Sequence, residues 1–85
     1  MTYTIIITET ATRFLKKLPH YHYQIILKKI DSIKEDPIRH LKRLQGEKLW
    51  RLRIMGYRAV IDVVVTKNTL IVVRIGHRKN VYADR

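Results

Sequence analysis

The sequence predicts an α+β domain, a mostly antiparallel sheet with two helices packed on one face, in the order β-α-α-β-β-β. Three observations predict it. A β-branched run, Tyr3 to Thr8, opens the chain. Two stretches of helical periodicity follow side by side. Three runs separated by short turns then fill residues 48–76. Helices grouped together and strands linked as hairpins argue for segregated layers rather than alternating βαβ units. The 85 residues make one domain, 1–85, with a single modest core.

The opening run reads as a strand because β-branched residues suit a pleated surface. Thr8 or Thr10 can cap the helix that follows, and Glu9 sits well in its first turn. Ala11, Phe14, Leu15 and Leu18 recur at i, i+3, i+4 and i+7, one apolar stripe. Pro19 ends that helix. The second runs from about His20 to Glu35, with Tyr23, Ile26, Leu27, Ile30 and Ile33 as its stripe. Asp36-Pro37 stops it, since a residue before proline is pushed out of the α region. Residues 38–46 read as a basic loop carrying Arg39, Lys42 and Arg43, a second candidate contact with nucleic-acid backbone or simply a surface loop.

Strands are expected at about 48–54, 57–65 and 69–76. Met55-Gly56 forms the first tight turn and Lys67-Asn68 the tip of the second. Side chains alternate along a strand. Trp50, Leu52 and Ile54 therefore face the helices, and Arg51 and Arg53 face away. Folding at Met55-Gly56 sets Ile54 against Tyr57, Arg53 against Arg58, Leu52 against Ala59, Arg51 against Val60 and Trp50 against Ile61. A turn centred on Lys67-Asn68 sets Arg58 against His77. Arg51, Arg53, Arg58 and His77 then converge on the open face, with Arg78 and Tyr82 just beyond. Arg74 falls on the helix side in this register; a bulge, or a stem reaching round an edge, reconciles it.

Charge narrows the function. Eighteen Lys and Arg against seven Asp and Glu leave a net charge of +11. Such a domain attracts polyanions, nucleic acid first among them, although an acidic protein partner also suits it. Like charges facing each other weaken a sheet. Arginines gathered on one face thus point to an anion, and a guanidinium fork grips phosphate at two points. The competing reading is the solvated side of a half-buried sheet, which also alternates apolar with charged. Asp62 shares the face, further along, where it can pair with one arginine. The chain has no cysteine, which excludes disulfides and thiolate metal sites. Its four histidines lack metal spacing, so no metal or other cofactor is expected. No apolar run approaches the ~20 residues of a membrane span. The N-terminus lacks a signal-peptide pattern. A cytoplasmic protein is expected.

Four local patterns bear a resemblance: Lys42-Arg43-Leu44-Gln45-Gly46, Leu49-Trp50-Arg51-Leu52-Arg53, Gly56-Tyr57-Arg58, and Ile75-Gly76-His77-Arg78-Lys79-Asn80-Val81-Tyr82. In this order, and with the element order, length and charge, the chain resembles the RelE-type toxins of the RelE/ParE toxin–antitoxin superfamily. The resemblance implies an endoribonuclease that enters the ribosomal A site and cuts mRNA there. It implies that Arg51 and Arg53 occupy strand positions often held by catalytic lysines, that Arg58 holds the scissile phosphate, and that Arg78 and Tyr82 occupy the C-terminal catalytic positions. It further implies a RelB-like antitoxin partner and a toxin–antitoxin complex of higher order. The ParE branch shares the fold but poisons DNA gyrase; Arg58, Arg78 and Tyr82 together favour the nuclease branch. A plain RNA-binding module is a third reading. Arginine stays protonated at neutral pH and is a poor general base, whereas an imidazole such as that of His77 is the side chain type suited to proton exchange. The expected roles are phosphate and charge for Arg51, Arg53 and Arg58, and the leaving group for Arg78. Base stacking or proton transfer falls to Tyr82, and acid–base work to His77.

Overall fold

The computed structural model describes residues 2–44, 46 and 48–77. Strand β1 (Thr4–Ile7) leads into helix α1 (Glu9–Lys16) and helix α2 (His20–Ser32). A 3₁₀ turn (Pro37–His40) and strands β2 (Lys42–Arg43), β3 (Trp50–Ile54) and β4 (Tyr57–Val64) follow. A second 3₁₀ turn (Val65–Lys67) joins β4 to β5 (Thr69–His77). The sheet order is β1-β5-β4-β3-β2. Among the described strands, only β1 runs parallel to its neighbour, β5. The α+β class, the two-helix layer and the mostly antiparallel sheet are as expected.

The predicted basic loop differs. Proline's fixed φ suits the first position of a helical turn, and Pro37 starts one there. Leu41 is then drawn into the core. The next two residues pair with β3, Lys42 with Arg51 and Arg43 with Trp50, as a fifth strand. Two residues with no apolar member carry no alternation, so nothing in their own pattern marks the strand. The second helix also stops at Ser32, three residues early, with Ile33 as its C-cap.

One face of the sheet carries the core. Leu52, Ile54, Tyr57, Ala59, Ile61, Leu70, Val72 and Ile75 point at Ala11 and Leu15 of α1 and at Ile26, Ile30 and Ile33 beside them. Helix α1 lies over β5 and α2 over β3. The stripes predicted from periodicity are the surfaces that are buried. At the sheet's edge Trp50 is only half-buried, and the Arg43 guanidinium covers its ring at 5.0 Å from the centroid. A cation over an indole face is attracted by the ring quadrupole, so the edge is sealed by a stacked arginine rather than by apolar side chains.

The β3–β4 ladder has the predicted register, pair by pair, from Ile54–Tyr57 to Trp50–Ile61. The β4–β5 ladder does not. It starts as Val64–Thr69 and runs regularly to Ile61–Val72, then shifts, so that Val60 pairs with Arg74. Val73 is the extra residue of a β-bulge. Thr8 holds that bulge. Its hydroxyl donates to the Val73 carbonyl at 2.7 Å while accepting from the Ala11 amide at 3.2 Å. One side chain thus caps α1 and satisfies the carbonyl that the bulge takes out of the ladder.

Candidate nucleic-acid interface

The bulge decides which side chains share the open face. Beyond it, Arg58 pairs with Gly76 and Tyr57 with His77. Two rows result on the side away from the helices. One runs Lys42, Arg51, Val60 and Arg74 across β2 to β5. The other runs Arg53, Arg58 and Gly76 across β3 to β5. Neighbouring strands lie about 4.8 Å apart, so the four arginines occupy a patch about two strand spacings wide. Its centre is sunken. Arg58 is 4% exposed and Val60 3%, although both point away from the helices. Arg51 and Arg74 flank Val60, and their apolar stems can cover it. Gly76, the ladder partner of Arg58, carries no side chain.

Arg51, Arg53 and Arg58 are therefore together, as the alternation predicts. His77 is not with them. The extra residue in β5 turns it to the helix side, where its ring lies 5.0 Å from that of Tyr57 and 5.9 Å from that of Phe14. His22 joins them, with Nδ1 2.8 Å from the Tyr57 hydroxyl. These rings form an aromatic group under the end of β5, and the acid–base role expected of His77 has no footing on the arginine face. Arg74 takes its place. Simple alternation assigns Arg74 to the core side; the signal that could have placed it was its own misfit, a charge where the strand pattern demands an apolar residue. Arg78 and Tyr82 lie outside the described residues.

Burial gives Arg58 its weight. A guanidinium removed from water interacts with a phosphate through a lower effective dielectric than an exposed lysine does. It also sits on β4, which is paired on both sides and so held rigidly. Asp62, on the same face, takes part in no ion pair among the described residues. The ion pairs seen there are Arg13–Glu9, Lys34–Asp31 and Arg39–Asp36, away from the sheet. The Lys34 ammonium is raised above the usual lysine pKa by its hydrogen bond to Asp31 and by that carboxylate's charge. No group of three or more metal-ligating side chains occurs among the described residues, and no helix is long and apolar enough to cross a membrane.

Three central strands thus deliver four arginines to one face, around one that is buried, an arrangement suited to an anion. Comparison with known proteins places the chain. A family model for the ParE toxin of the type II toxin–antitoxin system parDE matches residues 5–82. Among curated proteins, none matches the sequence significantly. Solved structures match across nearly the whole chain. The toxin–antitoxin complex RelBE2 of Mycobacterium tuberculosis contains a chain 27% identical, with a TM-score of 0.84, covering 92% of this chain and 100% of that one. The archaeal RelE–RelB complex of Pyrococcus horikoshii matches at 25% identity and a TM-score of 0.80, over 92% and 97%. The isolated RelE toxin of E. coli matches at 27% and 0.76, over 96% and 93%. The chain belongs to the RelE/ParE superfamily of type II toxin–antitoxin toxins.

Proposed function

We propose that this toxin is a ribosome-dependent mRNA endoribonuclease that cuts without metal and works in the cytoplasm. The observation that carries the reading is the arginine face, with Arg51, Arg53 and Arg74 around the buried Arg58. In the reaction the 2′-oxygen bonds to the adjacent phosphorus, and the bond from phosphorus to the 5′-oxygen breaks. The products are a 2′,3′-cyclic phosphate and a 5′-hydroxyl. One proton leaves the 2′-oxygen and one reaches the 5′-oxygen. Arg58 and its neighbours hold the phosphate and stabilise the charge that builds on its equatorial oxygens, the step for which preorganised donors contribute most. Arg78 serves the leaving oxygen, and Tyr82 stacks on a base or assists proton transfer.

Guanidiniums remove protons poorly at neutral pH. Substrate geometry must then supply what acid–base chemistry does not, and a ribosomal A site that holds the message in a near-attack arrangement does so. The partner is a RelB-like antitoxin, a reading supported by the M. tuberculosis and P. horikoshii neighbours, which are toxin–antitoxin complexes; the pair is further proposed to form a higher-order complex. The match to a model named for ParE supports a second reading, a gyrase inhibitor.

One experiment separates the two readings. The protein is induced, mRNA 5′ ends are mapped, and DNA breaks are scored. Cleavage at defined positions, slowed by about 10²–10³ in Arg58→Ala as for the loss of one preorganised donor, is expected. Double-strand DNA breaks with intact messages would establish the gyrase reading instead. Efficient cutting of naked RNA in vitro would remove the ribosome from the proposal.

A further inference from the structure

The edge of β3 holds a second basic feature. Strand β2 is two residues long and pairs only with Trp50 and Arg51. On the other side of Lys42 the chain leaves the sheet, because Leu41 turns into the core. Among the described residues, the outer edge of β3 beyond Arg51 is left without a strand neighbour. The gap is a pocket of about 260 Å³ lined by Lys29, His40, Lys42, Arg51, Leu52 and Arg53. Five of those six side chains are cationic or can become so, and they come from α2, the first 3₁₀ turn, β2 and β3. None of the six is acidic. Lys42 stands directly across the ladder from Arg51, an arrangement that weakens strand pairing unless an anion lies between the charges.

We propose that this pocket is a second phosphate subsite for single-stranded RNA, adjoining the linkage gripped at Arg58; the inference rests on the RNA reading of the arginine face. Size is the first argument. Pockets that enclose whole small-molecule ligands run from roughly 300 to 1,000 Å³. This one is smaller and open, which suits a single sugar–phosphate unit of a longer chain. Continuity is the second. Arg51 and Arg53 belong to both the pocket and the open face, so an occupant of one is led to the other. A polynucleotide repeats its negative charge at every unit, and proteins that follow single strands do so with a basic groove tracking the backbone. The exposed His40 ring in its lining offers a flat surface for an unstacked base. An acidic peptide would meet the same charges, but would have to supply carboxylates in the sequence that two separate sites demand.

Binding is measured with 2′-O-methyl oligoribonucleotides, which lack the attacking hydroxyl and cannot be cut. Anisotropy titrations of a dinucleotide and an octanucleotide against the full chain, over a range of salt, give the ratio of their affinities. The Lys29→Gln/Lys42→Gln double variant changes two exposed side chains, and circular dichroism verifies its fold. The octanucleotide-to-dinucleotide affinity ratio is expected to fall about tenfold, and the salt slope of octanucleotide binding to become shallower by ~0.7 for each phosphate that the variant no longer neutralises. An unchanged ratio overturns the subsite. So does tighter binding of a hexaglutamate peptide than of the octanucleotide, if the double variant abolishes it, because the pocket would then belong to a protein partner. Absence of mRNA cleavage by the parent protein removes the nuclease reading while leaving the ratio readable, and undiminished cleavage by Arg58→Ala removes only that residue's part in it. Loss of cleavage in Arg58→Ala beside an unchanged ratio removes only the subsite.

Discussion

Strand β4 is shared by two hairpins that bring arginines to one face by different means. The β3–β4 hairpin has a two-residue turn and an unbroken ladder, so Arg53 and Arg58 face each other by alternation alone. The β4–β5 hairpin turns through a 3₁₀ segment, and its ladder slips by one residue at Val60 and Ile61. Arg74 reaches the face only because Val73 is inserted there. The first hairpin carries its register in its own sequence. The second depends on a hydroxyl from another element, Thr8 at the start of α1, to accommodate the extra residue. Three of the four arginines of the face are thus placed locally, and the fourth is tied to the helix layer.

Removing the Thr8 hydroxyl should break the dependent hairpin. Thr8→Val loses a helix cap, worth about 1 kcal/mol. It also leaves the part-buried Val73 carbonyl without its donor, a further ~1–3 kcal/mol. Urea denaturation should show a combined loss of about 2–4 kcal/mol, recovered in Thr8→Ser. A Thr8→Val protein as stable as the parent would mean that the bulge does not need its tether.

The next effect tests whether the two hairpins contribute to one site. Arg74→Ala should slow mRNA cleavage about tenfold, as expected for a flanking charge-assisted contact, with stability nearly unchanged. Arg53→Ala should do the same from the other side. If Arg74→Ala cleaves at the parental rate while Arg53→Ala does not, the face ends at β4 and the bulge serves only packing.

The smallest effect concerns the self-sufficient hairpin. Met55, in its turn, has φ 53°, the left-handed region where a residue with a side chain of this kind is strained. Asn tolerates that region better, so Met55→Asn should raise stability by up to about 1 kcal/mol without moving the Arg53–Arg58 pair. A lower melting temperature would show that Met55 contributes packing that outweighs its strain.

How much of the molecule is legible in the sequence follows the same division. Period-two alternation from Trp50 to Ile61 yields every pair of the first hairpin, because nothing interrupts it. Helical periodicity yields the buried stripes of α1 and α2. The second hairpin misleads at its far end: a bulge leaves no mark in a run of Ile and Val, where every residue looks apolar whichever way it points. That slip puts His77 on the wrong side and keeps Arg74 off the right one. Thr8 is readable as a cap, but its second bond, to a residue 65 positions away, has no local signature. Strand β2 escapes because two charged residues show no period, and its pairing is imposed by the edge of β3.

The parallel pairing of β1 with β5 joins segments that are made at opposite times. Residues 4–7 leave the exit tunnel early, yet their partners are residues 69–72, so the sheet cannot close until most of the chain has been synthesised. Contacts this distant in sequence form late and slowly. For most of its synthesis the nascent polypeptide is therefore unable to complete the sheet that carries the arginine face.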